Sequence, residues 1–247
     1  MEPRVSPTPE SLGSPPFGKN SVWKFNWLAN HKLIRALERT SHYASGQLLD
    51  MGCGSRPFAT WFAGRVTQYW GTDLRSSRHL KARRPDAYAR AEAQPIRSGS
   101  MDTVVAFSVV TYLPEPSRMF DEAARVLKPG GIAIVEFAQM EPILDAPYDF
   151  YRFTPYGARY QFERAGFEVL EIVPLGGLWA RMGLSAIGAL NRINRGPLRF
   201  LTELPVRLLY VLVQVFCEAM DRLFFNPLEA MSHLVIARKK PGASPSP

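Results

Sequence analysis

Cysteine is nearly absent from this chain. Cys53 and Cys217 are the only 2 in 247 residues, too few for a disulfide framework, so free thiols in a reducing compartment are expected. Histidine is almost as scarce. His31, His42, His79 and His233 fall at no ligand spacing, and no metal site is expected. Long apolar runs are missing too. A membrane span needs about 20 predominantly apolar residues, whereas the run Leu208–Val213 stops at Gln214 and follows Arg207. The segment Met1–Glu10 lacks the apolar stretch of a secretory signal, so none is expected. Acids are in deficit. The 22 Asp and Glu against 30 Lys and Arg leave a net charge of +8, able to attract phosphates or an acidic surface. Hydrophobic content of 46% with 21% charge is that of a globular chain, not a disordered one.

What is present is concentrated in Leu48-Leu49-Asp50-Met51-Gly52-Cys53-Gly54-Ser55. An apolar strand ends in an acid and runs into a turn with glycine at alternate places. Glycine permits positive φ and leaves no Cβ between backbone and ligand. The carboxyl ends of parallel strands are where open α/β sheets bind nucleotides. A dinucleotide fingerprint would need a third glycine where Pro57 stands, and proline fixes φ and removes a donor. A phosphate loop would end in Gly-Lys-Ser/Thr, which is also missing. The pattern left is acid-x-Gly-x-Gly.

Further segments follow in α/β order. After a helical stretch at Phe58–Arg65, Gln68–Asp73 reads as a second strand ending in an acid. Asp73 stands about twenty residues past the glycines, the spacing of a ribose-binding carboxylate. A third element is Ala91-Glu92-Ala93-Gln94-Pro95-Ile96. Met101–Ser108 is a continuous apolar strand, as expected when helices cover both sheet faces. A helix follows over Pro116–Leu127, then the stop Lys128-Pro129-Gly130-Gly131, then a fifth strand, Ile132–Phe137. Phe167–Val173 and His233–Arg238 read as strands six and seven.

Together, from Gln47 to Val173, these segments resemble the class I S-adenosylmethionine (SAM)-dependent methyltransferases of the methyltransferase-11 type. The resemblance implies an α/β, Rossmann-like doubly wound sheet, six strands parallel and strand seven antiparallel. It implies SAM as cofactor. Asp50 would hold the methionine amino group. The backbone at Gly52 and Gly54 would pass the methionine and sugar, and Asp73 would hold the ribose. Ala91 and Glu92 would flank the adenine, and Phe107 and Ser108 would border the methyl donor. The chain departs from the family at two places: Arg56 replaces a usual glycine and Arg90 a usual aspartate.

The loop Ala146–Gly157 holds an acid, an arginine and several aromatics. Similar enzymes carry a like segment, and loops there line the acceptor side. Tyr151 and Arg152 are substrate-binding candidates, Arg152 for a carboxylate or phosphate. An internal Asp149–Arg152 pair bracing the loop against strand six is the competing reading. Asp149, Tyr148 and Tyr112 are candidate general bases, with no spacing to select one. Phe107-Ser108-Val109-Val110 replaces the Asn-Pro-Pro-Tyr motif of enzymes that methylate nucleic-acid amino groups. That favours a hydroxyl or carboxylate acceptor.

The organisation expected is a disordered segment over residues 1–20, a SAM-binding core over 21–175, an insertion over 176–230, a last core strand over 231–240 and a disordered tail over 241–247. A helix at Trp23–Tyr43 would cover the cofactor mouth or simply pack on the sheet. The insertion separates strands six and seven. It is helical, rich in Leu, Val and Phe, and carries Arg181, Arg192, Arg195, Arg199 and Arg207. It suits a lid, a membrane-interface surface over 198–225, or a homodimer face. The basic run Arg75–Arg84 suits a solvated helix face. The function implied is methyl transfer to a small-molecule or lipid-linked acceptor in the cytoplasm, free or peripheral at the inner membrane face. A scaffold subunit without activity, or a nucleic-acid methyltransferase, are the alternatives.

Overall fold

The computed structural model describes residues 21–77, 80, 84–194 and 199–242. Residues 1–20 and 243–247, most of the basic run between Arg78 and Arg83, and Arg195–Leu198 of the insertion lie outside the described residues, with the expectations that fell on them.

In chain order the elements are α1 (Trp27–Thr40), β1 (Gly46–Met51), α2 (Ala59–Phe62), β2 (Val66–Asp73), β3 (Ala87–Tyr88), β4 (Met101–Ala106), α3 (Pro116–Val126), β5 (Leu127–Ala138), α4 (Pro155–Arg164), β6 (Phe167–Leu175), α5 (Leu178–Ile193), α6 (Arg199–Leu223) and β7 (Ser232–Lys239). They form one sheet in the order β3-β2-β1-β4-β5-β7-β6. β1 pairs in parallel with β2 and β4, β2 with β3, and β4 with β5. β7 runs antiparallel between β5 and β6. The expected Rossmann-like sheet with an antiparallel seventh strand and a helical insertion before it is therefore present.

Alternation along apolar strands fills both faces. Leu49, Met51, Val104 and Val135 point to the face covered by α3 and α4, where Met119, Phe120, Phe162 and Phe167 pack. Leu48, Val105 and Ile134 point to the other face, with Leu37, Phe62 and Phe107. A smaller core of Leu28, Ala180, Cys217 and Met231 ties α1 to the insertion.

Several boundaries differ from the sequence expectation, each for a local reason. The helix after the glycine turn is a single turn, because Gly64 at φ +74° stops it. The third element, Ala91–Ile96, is a turn closed by an Arg90–Ala93 bridge, and the edge strand is the two-residue β3 before it. Lys128–Gly131 is not a break. α3 hands directly to β5, which bulges between the pairs Met101–Leu127 and Thr103–Ile132 to take up the extra residues. α1 begins at Trp27, not Trp23, and packs on the sheet through Ala36 and Leu37.

α4 is capped as its sequence suggests. Thr154 accepts from the Gly157 amide at 3.1 Å, Pro155 opens the helix, and Gly166 at φ +84° ends it. The insertion is an α5–α6 pair pinned to α1 by buried charge. Asp221, 1% exposed, accepts from the Gly177 amide at 2.9 Å and from Lys32 Nζ at 2.9 Å; Lys32 also meets Glu218 at 2.8 Å.

Candidate functional site

The glycine turn leaves β1 at the carboxyl edge of the sheet. Gly52 and Gly54 hold φ of +76° and +50°. A Cβ on Gly52 would lie 2.4 Å from Val109 Cγ2, so glycine is required there by space as well as conformation. The amides of Gly52 and Cys53 both donate to the Thr72 carbonyl, at 2.8 and 2.9 Å. Gly54 donates to Asp73 Oδ2 at 2.7 Å, and Leu74 donates to Asp73 Oδ1 at 2.6 Å. Asp73, at the end of β2, thus fixes the turn. Each carboxylate oxygen keeps lone-pair capacity beyond its one backbone donor.

Asp50 is 1% exposed and accepts a hydrogen bond from the Tyr69 hydroxyl. Burial pushes its carboxyl up to about 7, against the pull of the Tyr69 bond and the Arg56 charge, while nearby Asp73 pushes the same way as burial. Cys53 is buried 2% exposed behind the turn, and burial raises its thiol too far for a nucleophile at neutral pH.

Arg56 takes the place of a family glycine and keeps a glycine-like backbone, at φ +62°. Its side chain turns inward, 5% exposed. There it pairs with Asp86 at 2.8 Å and lies over the Tyr69 ring, 5.7 Å from the centroid. Asp86 in turn accepts from the Gly71 amide at 2.8 Å. No guanidinium is therefore offered to a ligand on the turn. α2, only four residues long, also gives little of the helix N-terminal field that holds a pyrophosphate. A turn without a phosphate cradle, with one buried acid and one acid beside it, fits a nucleoside bearing an amine. SAM has that chemistry.

At the far side of the turn, Ala91 is buried and Glu92 is paired with Arg90 at 3.0 Å. Arg90 is exposed, so the position of the usual carboxylate is occupied by a solvated cation. Gln94 holds this segment, accepting from Thr72 Oγ1 at 2.9 Å and donating to the Arg90 carbonyl at 2.8 Å.

At the exit of β4, Phe107 and Ser108 part company. The Phe107 ring packs against Phe58 at 4.4 Å between centroids and belongs to the core. It can border a methyl donor only through its backbone. Ser108, at φ +54°, stays at the edge. Its amide and hydroxyl both donate to Glu136 Oε2, at 2.9 and 3.0 Å. Glu136 is 5% exposed, and burial raises its carboxyl.

The acceptor-side loop is braced from within. Arg152 grips Asp149 with two bonds of 2.5 and 2.9 Å, and spends further donors on the carbonyls of Glu141, Pro142 and Tyr151. Asp149 also accepts from the Leu144 amide. The Arg152 hydrogen bonds hold its carboxyl below the usual range. A carboxylate so engaged is a weak base, and an arginine so engaged has little left for a substrate. Both sequence candidates are structural partners first, and the brace runs to 141–144, not to strand six. Tyr112 sits near this cluster, its hydroxyl pushed up to about 12 by burial and by Asp145 and Asp149. Tyr148 is 64% exposed. Tyr151 donates to the Pro114 carbonyl at 3.1 Å.

Sequence reasoning missed Glu141. Burial first, and then Glu136, raise its carboxyl to about 7. It also missed Asp86, Tyr69 and Glu136. For Glu136 there was a signal: an acid inside the otherwise apolar run Ile132–Phe137.

Residues 49–135 match a family described as a methyltransferase domain, the methyltransferase-11 type. A probable S-adenosylmethionine-dependent methyltransferase of Mycolicibacterium smegmatis is 27% identical over 175 residues, 66% of this chain and 66% of that protein, just under two thirds of its length. Among solved structures, the [4+2]-cyclase SpnF shares the fold with a TM-score of 0.56 at 18% identity, covering 87% of this chain and 84% of its own. A methyltransferase structure from Bacillus halodurans gives 0.55 at 16%, covering 84% and 99%. With the glycine turn, the two acids and the sheet order in place, residues 49–135 are a methyltransferase domain of the methyltransferase-11 type on a Rossmann-like sheet.

Proposed function

We infer that this protein transfers the methyl group of SAM to an oxygen of a small-molecule or lipid-linked acceptor. The observation that carries the reading is the set of acids at one sheet edge: Asp50 and Asp73 on the cofactor side, Glu136 and Glu141 on the acceptor side. When bound, SAM supplies an electrophilic methyl on a sulfonium, so the chain's work is orientation and proton removal. Asp50, ionised, holds the amino group. Asp73 takes the ribose hydroxyls while it keeps the Gly54 amide. The backbone of Ala91 and Glu92 flanks the adenine, and Ser108 faces the methyl donor. Glu141 is the better base than Asp149, Tyr112 or Tyr148, since a carboxyl that titrates near 7 is matched to accept a proton at neutral pH.

No described helix is long and apolar enough to cross a membrane. α6 nevertheless exposes Leu204, Leu208, Leu212 and Phe216. That favours an acceptor met at a lipid surface, with the α5–α6 pair lying in the interface. A second reading, cofactor binding without methyl transfer, draws on the likeness to a cyclase.

The test is incubation with methyl-labelled SAM and a cell extract, followed by phase partition. Label in the organic phase supports the lipid-linked acceptor, and label in small aqueous products supports a soluble one. Cofactor binding with no transferred label in any extract fraction overturns methyl transfer in favour of the second reading.

A further inference from the structure

Beyond the carboxyl edge of the sheet, between the segment after β5 and helix α5, lies a cleft of about 640 Å³ lined by Met140, Pro142, Arg181, Met182 and Ser185. Met140 follows β5 by two residues, so the cleft opens on the same edge from which β1, β2 and β4 release the glycine turn, Asp73 and Ser108. Four of the five lining residues are uncharged, and Arg181 is the fifth.

Arg181 differs from the other buried or half-buried arginines of the protein. Arg56 is paired with Asp86, Arg152 with Asp149 and Arg164 with Asp121. Among the described residues Arg181 has no ion pair; its buried Nε lacks a hydrogen-bond partner, as do those of Arg56 and Arg164, so what sets Arg181 apart is a guanidinium with no acid beside it. A guanidinium at a cleft wall with no acid partner keeps its charge-assisted donors for an oxyanion. Set between two methionines and a proline, that unpaired guanidinium is suited to an oxyanion on an apolar body. Arginine binds carboxylate and phosphate through charge-assisted, often two-pronged bonds, and methionine adapts to an apolar chain beside them.

We propose that Arg181 forms an anion subsite for the acceptor, which carries a carboxylate or phosphate group joined to an apolar portion lying against Met140 and Met182. This rests on the methyl-transfer reading only in calling the ligand an acceptor; the subsite itself needs no cofactor. It gives the insertion a task, since α5 brings to the acceptor side a cation that the core sheet does not supply.

The experiment is calorimetric titration of the full chain with four probes: octanoate, octyl phosphate, octanol and inorganic phosphate. The expected result is binding of octanoate or octyl phosphate, with octanol and inorganic phosphate weaker by about tenfold or more. The preferred anion names the acceptor class. Arg181→Met should weaken the bound anion about tenfold to a hundredfold and leave octanol unchanged. Arg181→Lys, which keeps the charge, should retain part of the binding, and serves if the methionine variant fails to fold. Equal affinity for octanol and octanoate, binding of inorganic phosphate as tight as octyl phosphate, or binding unaffected by either substitution would overturn the proposal. A parallel SAM titration separates the two readings. Anion binding without SAM binding leaves the subsite standing and removes methyl transfer; the reverse removes only the subsite.

Discussion

The amide of Gly54 donates to the carboxylate of Asp73 at 2.7 Å. One side chain thereby shapes the turn and, on the proposed reading, is the group that would take the ribose. The two acids of the proposed cofactor site differ in kind. Asp73 is held by backbone amides, whereas Asp50 is held by burial and one tyrosine.

That difference gives SAM affinity a pH dependence. Asp50 titrates near 7 in the free protein, while an unfolded aspartate titrates near 3.9. An ammonium beside it favours the ionised form, so binding pulls its proton off. Below pH 7 affinity should fall by up to about tenfold per unit, and above pH 8 it should level off. Titrations in buffers of different ionisation enthalpy should detect release of a proton at pH 6. For stability the sign is opposite. The folded chain binds the extra proton between about pH 4 and 7, so ionisation of Asp50 lowers stability across that window. Asp50→Asn should be no less stable than the parent at pH 8, yet bind SAM poorly.

Arg56→Gly restores the residue the family uses, and two effects compete. Relief of a left-handed backbone at φ +62° favours the variant by about 1–2 kcal/mol. Loss of the guanidinium strands Asp86 and empties the space over Tyr69. Removing one partner of a buried pair costs about 3–5 kcal/mol, less here because the Asp86 side chain is 29% exposed. A net loss of about 1–2 kcal/mol is expected from denaturant unfolding. The Arg56→Gly/Asp86→Asn double variant should recover part of it.

How far the sequence could be read follows from these cases. The glycine turn, the two acids that flank it and the apolar strands were visible because each is a local pattern with a local cause. Arg56 was visible only as a departure. Its partner Asp86 lies thirty positions on, and nothing local joins them. Phe107 and Ser108 were assigned together at the methyl donor, but Phe107, just past the end of β4, still points with Val105 into the core, while the left-handed turn at Ser108 leaves the serine at the edge. The Asp149–Arg152 pair was foreseeable at its i,i+3 spacing. That it uses up both groups needed the carbonyls of 141, 142 and 151, which only the folded loop brings in.

The loop brace has a double-mutant signature. Asp149→Asn and Arg152→Met should each lower turnover with the acceptor while leaving SAM affinity within about twofold. Because both act through one pair, their effects should not add, and a coupling of about 1–3 kcal/mol is expected. Additive losses would mean that one of them touches the acceptor independently.

The link between α1 and the insertion is equally testable. Asp221→Ala leaves two amides of the α5 start without their buried acceptor and Lys32 with Glu218 alone. A loss of about 3 kcal/mol is expected, with faster proteolysis within α5–α6. SAM affinity should be unchanged, since no residue of the turn takes part.

The most direct measurement is calorimetric titration of SAM into the wild-type protein and Asp73→Asn at pH 8. The account predicts one site in the wild type and an affinity at least about tenfold lower in the variant, whose single remaining carbonyl oxygen cannot serve the Gly54 amide, the Leu74 amide and the ribose together. Equal affinity in the two proteins, or no binding in either, would contradict it.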